Sequence, residues 1–316
     1  MNVYKDINRL PTFQNAVVTI GTFDGVHLGH AHILSQLISE AKKINGTPVV
    51  ITFYPHPKRV IEDIRNPLFI LNTPEEKYRL LHKRGIGQIV VVPFDKAFAE
   101  QPAADYIRNF LADKFHPHTI IIGYDHRFGK NREGDYKLLE KEAGNYHYKV
   151  QEIPEHILQD VIISSTKIRE ALLSGDIDTA ATYLGYHYFF TGTVIEGNKL
   201  GRTIGYPTAN LQVEDEQKLI PANGVYAVTI TMEADEKNSG NERQLSGMMN
   251  IGIRPTVDGS KRVIEVNIFD FDELIYGRKL TIGFKKWLRS EVKFNGLDAL
   301  KQQLAADEIA ARAALA

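Results

Sequence analysis

The spacing of apolar residues changes near residue 186 of this 316-residue chain, and the change restricts the possible folds more than any other feature. Before it, short apolar runs at residues 16–22 and 48–53 alternate with segments of helical spacing, such as residues 28–44. Short apolar strands interleaved with helices are typical of a parallel sheet covered by helices on both faces. The sequence therefore predicts a doubly wound α/β domain over residues 1–185, with ligands at the carboxyl ends of its strands.

One helix of this domain is marked by its capping residues. Thr73 and Glu76 have the spacing of a capping box, and Pro74 stands at the first helical position. Gly85 is predicted to close the helix, because glycine readily adopts the left-handed conformation found at helix ends. The other elements predicted for this half are strands at residues 88–92 and 119–122, a helix near residues 103–114, and a helix from Ser165 to about Gly175.

After residue 186 the predicted strands are separated by turns instead of helices. Glycines such as Gly224, Gly240 and Gly277 punctuate them. This pattern predicts an all-β antiparallel barrel or sandwich over residues 186–316. The strands are predicted at residues 188–194, 225–232, 244–250, 263–269 and 279–284.

Two further segments of this half have clear patterns. Residues 233–241 are polar and charged, which predicts an exposed hairpin loop. A helix is predicted from about Leu297 towards the end of the chain, with Leu300, Leu304 and Ile309 on one face.

The composition excludes several classes of site. Lys and Arg number 38 against 39 Asp and Glu, so the formal net charge of -1 gives no electrostatic case for binding nucleic acid or an anionic membrane. The absence of cysteine excludes disulfides, thiolate zinc sites and a cysteine nucleophile. Since no apolar run of about 18 residues and no apolar signal-peptide core occur, we expect a soluble, cytoplasmic protein.

The segment GTFDGVHLGH, residues 21–30, lies between the first predicted strand and the first predicted helix. Its glycines allow the backbone to turn tightly and to approach a ligand. His27 and His30 flank Gly29 near a helix N-terminus, where free N–H groups and the helix dipole favour phosphate. Two imidazoles there could stabilise charge on a reacting phosphoryl group, although the same residues also fit an ordinary helix entry with solvated histidines.

The segment ISSTKIR, residues 163–169, opens the last helix of the first half. Ser165 is predicted to be its N-cap, and Thr166, Lys167 and Arg169 fall in the first turn. Hydroxyls, free N–H groups and a cation together make a polyphosphate site, but caps of this type open many helices.

The segment GNKLGRTIGYPTAN, residues 197–210, has glycines spaced so that a loop could wrap phosphates with its backbone N–H groups. Thr208 offers a hydroxyl and Asn210 a carbonyl oxygen, both of which suit Mg²⁺. It is not a Walker A loop, since G-x-x-x-x-G-K-[ST] occurs nowhere in the chain. From the glycines alone, a glycine-rich hairpin with a proline turn is the favoured interpretation.

Taken together, these motifs carry a resemblance. GTFDGVHLGH with ISSTKIR resembles the nucleotidylyltransferases that use a His-x-Gly-His signature. TFYPHP at residues 52–57 and GYDHRFGKNREG at residues 123–134 narrow the resemblance to the FAD synthetase module of prokaryotic bifunctional riboflavin kinase/FAD synthetases. That resemblance implies a Rossmann-like fold and an FMN adenylyltransferase activity, in which an FMN phosphate oxygen attacks the α-phosphorus of ATP and pyrophosphate leaves. No general base is required, because the phosphate is already anionic.

The resemblance also implies roles for individual residues of the first half. His27 and His30 are the catalytic residues, at the α-phosphate. The residues implied to bind ATP are Gly21, Phe23, Asp24, Gly29, Ser165, Thr166 and Arg169. The residues implied to shape the FMN pocket are Pro55, Pro57, Asp125, Phe128 and Arg132, with His126 standing where the family more often has Phe. Without the resemblance, Asp125 and Arg132 would be interpreted as a surface ion pair of little energetic value.

The second half resembles the riboflavin kinase domain, a small six-stranded antiparallel barrel, through GRTIGYPTAN, GVYA, NIGIRPT and Glu265. The resemblance implies that Thr208 and Asn210 contact Mg²⁺ and ATP phosphates. Glu265 is implied to be the catalytic base, which accepts the proton of the ribityl 5′-hydroxyl as it attacks the γ-phosphorus; otherwise it would be an outward-facing solvated residue. The other residues implied to bind ATP are Gly197, Gly201, Arg202 and Gly205.

The resemblance assigns no catalytic or binding role to several other positions of the second half. Asn267 stands where the family often has His, and no role is assigned to it. Lys286, Trp287, Arg289 and Phe294 belong to a segment that resembles the family's C-terminal region, and the core is the favoured place for Trp287.

Three hypotheses follow for the whole chain. The first is an enzyme that phosphorylates riboflavin to FMN and adenylylates FMN to FAD, with ATP as co-substrate of both steps and Mg²⁺ as the cation. The second is a related transferase in which one module is degenerate or acts on another substrate. The third is a flavin-binding regulator without turnover, which predicts missing phosphate-binding or acidic residues. His30, Thr208 and Glu265 are all present, so the third hypothesis ranks last.

Overall fold

The computed structural model describes residues 1–61, 68–154, 163–197, 200–233, 242–256 and 259–316. These residues form two compact units, Met1–Ser165 and Thr166–Ala316. The helical segment after Ser165 packs within the second unit, where the Leu172 carbonyl accepts a 2.9 Å hydrogen bond from the Ala222 N–H. The functional boundary between residues 185 and 186 stays a prediction, because packing alone does not assign residues 166–185 to either activity.

The first unit is built on one parallel sheet. Its six strands lie in the order β1-β4-β3-β2-β5-β6. They are β1 (Asn2–Tyr4), β2 (Val17–Ile20), β3 (Pro48–Tyr54), β4 (Gln88–Pro93), β5 (Thr119–Gly123) and β6 (Lys149–Ile153). The chain order reverses between β2 and β5, and ligands in such sheets bind beyond the carboxyl ends of the strands at this point. The predicted doubly wound α/β fold is confirmed.

Helices connect these strands. They are Leu28–Lys43, Pro57–Ile61, Pro74–Lys83, Lys96–Ala99, Ala103–Asp105, Asp113–Phe115 and Tyr136–Tyr146, with a π-helix at Tyr106–Ala112 and a 3-10 helix at Lys130–Arg132. The predicted capping box is present: the Thr73 hydroxyl accepts a 3.3 Å hydrogen bond from the Glu76 N–H, and the Glu76 carboxylate accepts one of 3.0 Å from the Thr73 N–H. Gly85 follows with φ of 90°, as predicted for a helix end.

The second unit begins with two helices and continues as a closed barrel. The helix Ser165–Ser174 crosses the boundary between the units, and Ile177–Leu184 follows it. The six barrel strands lie in the order β10-β11-β8-β7-β12-β9. They are β7 (Phe189–Ile195), β8 (Ala209–Gln212), β9 (Gly224–Met232), β10 (Arg243–Thr256), β11 (Gly259–Ile268) and β12 (Lys279–Arg289). All pairings are antiparallel, and closure removes the free strand edges. The predicted all-β second half is therefore a barrel instead of a sandwich.

The C-terminal helix Leu297–Leu315 forms where it is predicted, but one residue of its predicted face is wrong. Ile309 is 72% exposed, whereas Asp307 and Ala311 are buried. At about 100° per residue, position 309 points away from Leu300, while positions 304, 307 and 311 follow it along one stripe. The buried face therefore contains a carboxylate that an apolar pattern could not reveal.

Two other predictions concern the same half. Most of the predicted hairpin loop at residues 233–241 lies outside the described residues. Trp287 packs so closely against Gly175 that a Cβ at Gly175 would overlap its ring, and its ring centroid lies 6.1 Å from that of Tyr226. Along the described part of the chain, no helix combines the length and the apolar character that a membrane span requires.

Candidate active sites

The first candidate site begins where β2 ends, at the sheet's point of reversal. Three residues of the loop have left-handed backbone conformations there: Phe23 has φ of 49°, Gly25 of 85° and Val26 of 37°. A branched residue such as Val26 rarely adopts this conformation, so the surrounding structure must hold the loop in place. His27 then caps the helix Leu28–Lys43, which places both predicted histidines at a helix N-terminus.

The two histidines form one stacked pair. Their ring centroids lie 3.7 Å apart with planes 15° from parallel, and His27 Nδ1 accepts a 3.4 Å hydrogen bond from the His30 N–H. His30 Nδ1 is buried and has no hydrogen-bond partner among the described residues. Burial, followed by the charges of His27 and Lys77, holds the pKa of His30 well below its usual range. His30 is therefore a neutral imidazole that retains hydrogen-bonding capacity.

Asp24 and Ser165 lie together at this site, and their contact with ATP stays a prediction. Asp24 is buried, and its Oδ1 accepts hydrogen bonds from the N–H groups of Leu71 at 2.9 Å and Asn72 at 3.3 Å. The Ser165 hydroxyl donates a 2.9 Å hydrogen bond to the Asp24 carbonyl. These bonds fix the loop between Gly21 and His27 to two other parts of the first unit.

The other residues predicted to bind ATP are divided between the two units. The Gly21 N–H donates a 3.0 Å hydrogen bond to the Ile51 carbonyl, which places Gly21 at the end of the central strands. The Phe23 ring lies 5.0 Å from that of His30. Thr166 and Arg169 belong to the second unit, and their contact with ATP beside His30 stays a prediction.

Lys77 is a member of this site that the sequence analysis missed. Its side chain is buried, and Nζ donates hydrogen bonds to the Thr22 carbonyl at 3.1 Å and to Thr52 Oγ1 at 3.0 Å. The Thr52 hydroxyl donates in turn to the Thr22 carbonyl at 3.1 Å. Burial lowers the pKa of Lys77 to about 8, against the opposing effect of Asp24. Nothing in the sequence indicated this role. Lys77 stands among other charged residues of a helix, where a lysine is normally expected to be exposed.

The predicted flavin residues are not all at one surface. Pro55 follows a cis peptide bond, and Pro57 begins the helix Pro57–Ile61. Phe128 is buried in the apolar core, where its ring stacks on Tyr106 at 4.9 Å. Asp125 and Arg132 are exposed. Their contact with FMN stays a prediction.

The segment at residues 123–134, which carries Asp125, Phe128 and Arg132, has two features that the sequence did not indicate. Its ion pair joins Arg127 and Asp135, 2.8 Å apart, at positions that the sequence analysis did not single out. His126 Nε2 is buried and has no hydrogen-bond partner among the described residues. Burial, with a smaller effect of Arg132, lowers the pKa of His126 to about 4.

The second candidate site is a cavity of about 290 Å³ in the second unit. Polar groups line one part of it, and apolar side chains of β9, β10 and the C-terminal helix line the rest. The residues that the argument uses are Thr208, Val225, Met248, Arg254, Glu265, Asn267 and Leu300. The Glu265 carboxylate accepts a 2.8 Å hydrogen bond from the Arg254 guanidinium, so a second charged group accompanies the predicted base. The NIGIRPT motif contains Arg254, but the contact depends on the β10–β11 hairpin. The register pairs Asn250 with Glu265, and Arg254 lies four residues further along β10 on the same face, from which its long side chain reaches the carboxylate.

Thr208 lines a second cavity as well, of about 530 Å³, which Arg202 also lines. Asn210 is buried and is the register partner of Glu265 on the adjacent strand. Its amide contacts Gly197 so closely that a Cβ there would overlap it, which explains the need for glycine. The predicted residues Thr208, Asn210 and Glu265 are thus brought together. Gly205 provides a turn with φ of 89°.

Asn267 holds the segment that carries Thr208. Its side chain is buried, and Nδ2 donates a 2.7 Å hydrogen bond to the Pro207 carbonyl. The sequence analysis gave this position no role, because its difference from the family pattern does not reveal what it contacts.

A bidentate ion pair attaches the C-terminal helix to this cavity. Arg289 donates to the two carboxylate oxygens of Asp307 at 2.8 Å and 2.6 Å, and Gln303 donates to Asp307 at 2.9 Å. Arg289 and Asp307 both line the cavity, so the pair holds one of its walls.

Comparison with known proteins supports two modules in this order. Residues 10–167 match the family model described as FAD synthetase, and residues 184–315 match the model described as riboflavin kinase. The bifunctional riboflavin kinase/FMN adenylyltransferase of Haemophilus influenzae is 36% identical over 300 residues, which cover 95% of this chain and 94% of the relative. The enzyme of that name from Listeria monocytogenes is 37% identical over 300 residues, covering 95% and 92%. This chain belongs to the bifunctional riboflavin kinase/FMN adenylyltransferase family.

Membership of this family confirms the predicted family and the predicted enzyme class, with FMN and FAD synthesis as its two activities. A crystal structure of a protein named a macrolide-efflux protein, from Streptococcus pneumoniae, shares the fold with a TM-score of 0.85. It is 32% identical, and the match covers 98% of both chains. The fold of this chain is thus also seen in a solved structure.

Proposed function

We propose that the two activities occupy separate sites, FAD synthesis at the stacked histidines of the first unit and FMN synthesis in the barrel. One observation carries the assignment of the barrel: Thr208 lines both cavities, one with Glu265 and the other with Arg202. The smaller cavity has the apolar wall that a flavin ring requires, and the larger has a cation for phosphate. Thr208 would then stand where the γ-phosphate of ATP meets the ribityl hydroxyl of riboflavin.

In the barrel, Glu265 accepts the proton of the 5′-hydroxyl as the hydroxyl oxygen bonds to the γ-phosphorus. The bond between the γ-phosphorus and its bridging oxygen breaks, and ADP leaves. Arg254 holds the Glu265 carboxylate through their 2.8 Å hydrogen bond. The apolar wall supplied by Met248 and Leu300 excludes water, which would otherwise compete with riboflavin for the phosphoryl group.

Thr208 and Asn210 would hold Mg²⁺ together with the ATP phosphates. The donor set fits, because hydroxyl and amide oxygens suit a hard cation that keeps several of its waters. Two protein oxygens leave most positions of a six-coordinate Mg²⁺ open, and ATP phosphates and water would fill them. When bound, Mg²⁺ screens the charge of the triphosphate.

In the first unit, a phosphate oxygen of FMN bonds to the α-phosphorus of ATP, and pyrophosphate leaves with the electrons of the broken bond. His27 and His30 orient the α-phosphate at the N-terminus of the helix Leu28–Lys43, where backbone N–H groups stabilise the developing charge. Since His30 is neutral, it acts as a hydrogen-bond donor and not as a fixed positive charge. Ser165, Thr166 and Arg169 would bind the rest of the triphosphate.

Chromatography of reaction products tests this assignment directly. The purified chain is given riboflavin, ATP and Mg²⁺ in one reaction, and FMN, ATP and Mg²⁺ in another. We expect FMN and then FAD in the first reaction, FAD in the second, and neither product when EDTA removes the cation. FMN alone in the first and nothing in the second would mean that the first unit has another substrate. We also place both reactions in the cytoplasm.

A further inference from the structure

Lys77 lies inside the first site but has no part in the roles described so far. Its side chain is only 9% exposed, which is unusual for a lysine. An unpaired ammonium is costly to bury, and such groups are normally retained only where hydrogen bonds or opposite charges compensate them. The contacts of Lys77 therefore indicate what it does.

Those contacts join two of the chain's sequence motifs. Thr22 belongs to GTFDGVHLGH, and Thr52 is the first residue of TFYPHP. The ammonium binds the Thr22 carbonyl and the Thr52 hydroxyl, and these two groups also bind each other, so three hydrogen bonds form a closed ring. An ammonium group has three N–H donors, and these contacts use two of them.

The same ammonium acts electrostatically on His30. Positive charge near an imidazole disfavours its protonation, and Lys77 contributes in this direction together with His27 and with burial. Asp24 is the charged group that opposes Lys77 from the loop, and its carboxylate is already engaged by two backbone N–H groups. The charge of Lys77 is therefore coupled both to an acidic residue of the loop and to the imidazole of His30.

We propose that Lys77 is a positioning residue for adenylyl transfer, whose buried ammonium joins the His-x-Gly-His loop to the TFYPHP strand and whose charge acts on the imidazole of His30. This inference rests on the proposed assignment of FAD synthesis to the first unit. A neutral His30 donates a hydrogen bond to the α-phosphate, and a rigid loop keeps that donor in line with the reacting phosphorus.

The test compares two substitutions on one helix. K77M removes the buried charge and keeps a chain of similar length, and K83M removes an exposed lysine of the same helix Pro74–Lys83. Two quantities are measured: FAD formation from FMN, and the pKa of His30 by NMR with labelled imidazoles, assigned through a His30 variant. FMN formation from riboflavin, which occurs in the other unit, serves as an internal reference.

We expect K77M to lower kcat for FAD formation by about tenfold or more and to raise the pKa of His30, while FMN formation changes less than twofold. K83M should leave all three unchanged. If the methionine variant fails to fold, K77Q provides the comparison, because glutamine removes the charge and keeps a polar side chain with N–H donors.

A pKa of His30 that is unchanged in the neutral variants would overturn the proposal, as would FAD formation within twofold of the unmodified chain. Failure of the proposed function looks different, since the unmodified chain would then form no FAD from FMN. A merely structural role for Lys77 would lower thermal stability without moving the pKa of His30.

Discussion

The Arg254 guanidinium donates a 2.8 Å hydrogen bond to the Glu265 carboxylate, across the hairpin formed by β10 and β11. Glu265 is mostly buried, with 14% of its side chain exposed, whereas 41% of Arg254 is exposed. The carboxylate therefore has a fixed position in the cavity and is held by a partner that reaches it from the open side.

The first prediction concerns this carboxylate. E265Q keeps the shape of the side chain but cannot accept the proton of the ribityl hydroxyl, so we expect kcat for FMN formation to fall by about 10²–10⁴. FAD formation from supplied FMN should change less than twofold. The control is E216Q, an exposed glutamate of the same unit. Equal loss of both activities in a folded E265Q protein would contradict the assignment of two sites.

The second prediction concerns Asn267. In N267D a carboxylate would face the Pro207 carbonyl without a proton to donate, so the segment carrying Thr208 should shift. We expect kcat/KM for ATP in FMN formation to fall by about tenfold or more, since an unsatisfied buried acceptor costs about 1–3 kcal/mol. N267H, which restores a donor, should retain most activity, and the exposed N295D should have no effect. Equal rates in N267D and N267H would show that the hydrogen bond has no role.

The third prediction compares His30 with His32, an exposed histidine of the same helix. H30A removes the partly buried ring that stacks on His27, and we expect FAD formation to fall by about 10²–10³ while FMN formation is retained. H32A replaces an exposed histidine two residues later and should leave both rates unchanged. Loss of FMN formation in a folded H30A chain would mean that the two reactions share one site.

The fourth prediction concerns pH and His126. Because the folded-state pKa is about 4, below the usual 6.5, the unfolded chain binds more protons between these values. The stability contributed by neutral His126 is therefore complete above pH 6.5 and is lost as the pH falls. We expect a loss of about 2 kcal/mol between pH 7 and pH 5 from this residue.

Urea unfolding of the unmodified chain and of H126F, at both pH values, measures this contribution. Phenylalanine cannot be protonated, so the variant should lose about 2 kcal/mol less than the unmodified chain over the same range. The effect of His30, whose pKa is also lowered by burial, remains in both proteins. Identical pH dependence in the two would show that His126 is not a buried neutral ring.

The fifth prediction concerns the wall of the barrel cavity. D307A leaves the Arg289 guanidinium without its bidentate partner, at a site where Asp307 is 3% exposed. We expect the free energy of unfolding to fall by about 3 kcal/mol. E308A removes an adjacent, more exposed carboxylate that pairs with Arg312, and it should cost less than about 1 kcal/mol. Similar losses of unfolding free energy in both variants would show that the buried Arg289–Asp307 pair stabilises the fold no more than an exposed pair does.

Much of the fold was predictable because local sequence decides it. The capping box at Thr73 encodes a helix start within four residues, and the continuous apolar runs of β2 to β5 encode strands that are buried on both faces. Elements without such patterns were missed. β6 is a mostly polar strand and β8 has only four residues, so neither has a distinctive periodicity.

The motifs at His27, His30, Thr208 and Glu265 were likewise readable as linear patterns, because each depends on residues close together in the chain. The partners of these residues were not. Lys77 reaches Thr22 across 55 positions, and Asn267 reaches Pro207 across 60. Hairpin pairing puts Arg254 and Glu265 on one face of the barrel, within hydrogen-bond reach of each other, and helix packing decides that Asp307 and not Ile309 is buried. Local chemistry thus determined the fold class and the motifs of the two candidate sites, whereas long-range packing determined the lowered pKa of His30 and the partners that hold each candidate site in place.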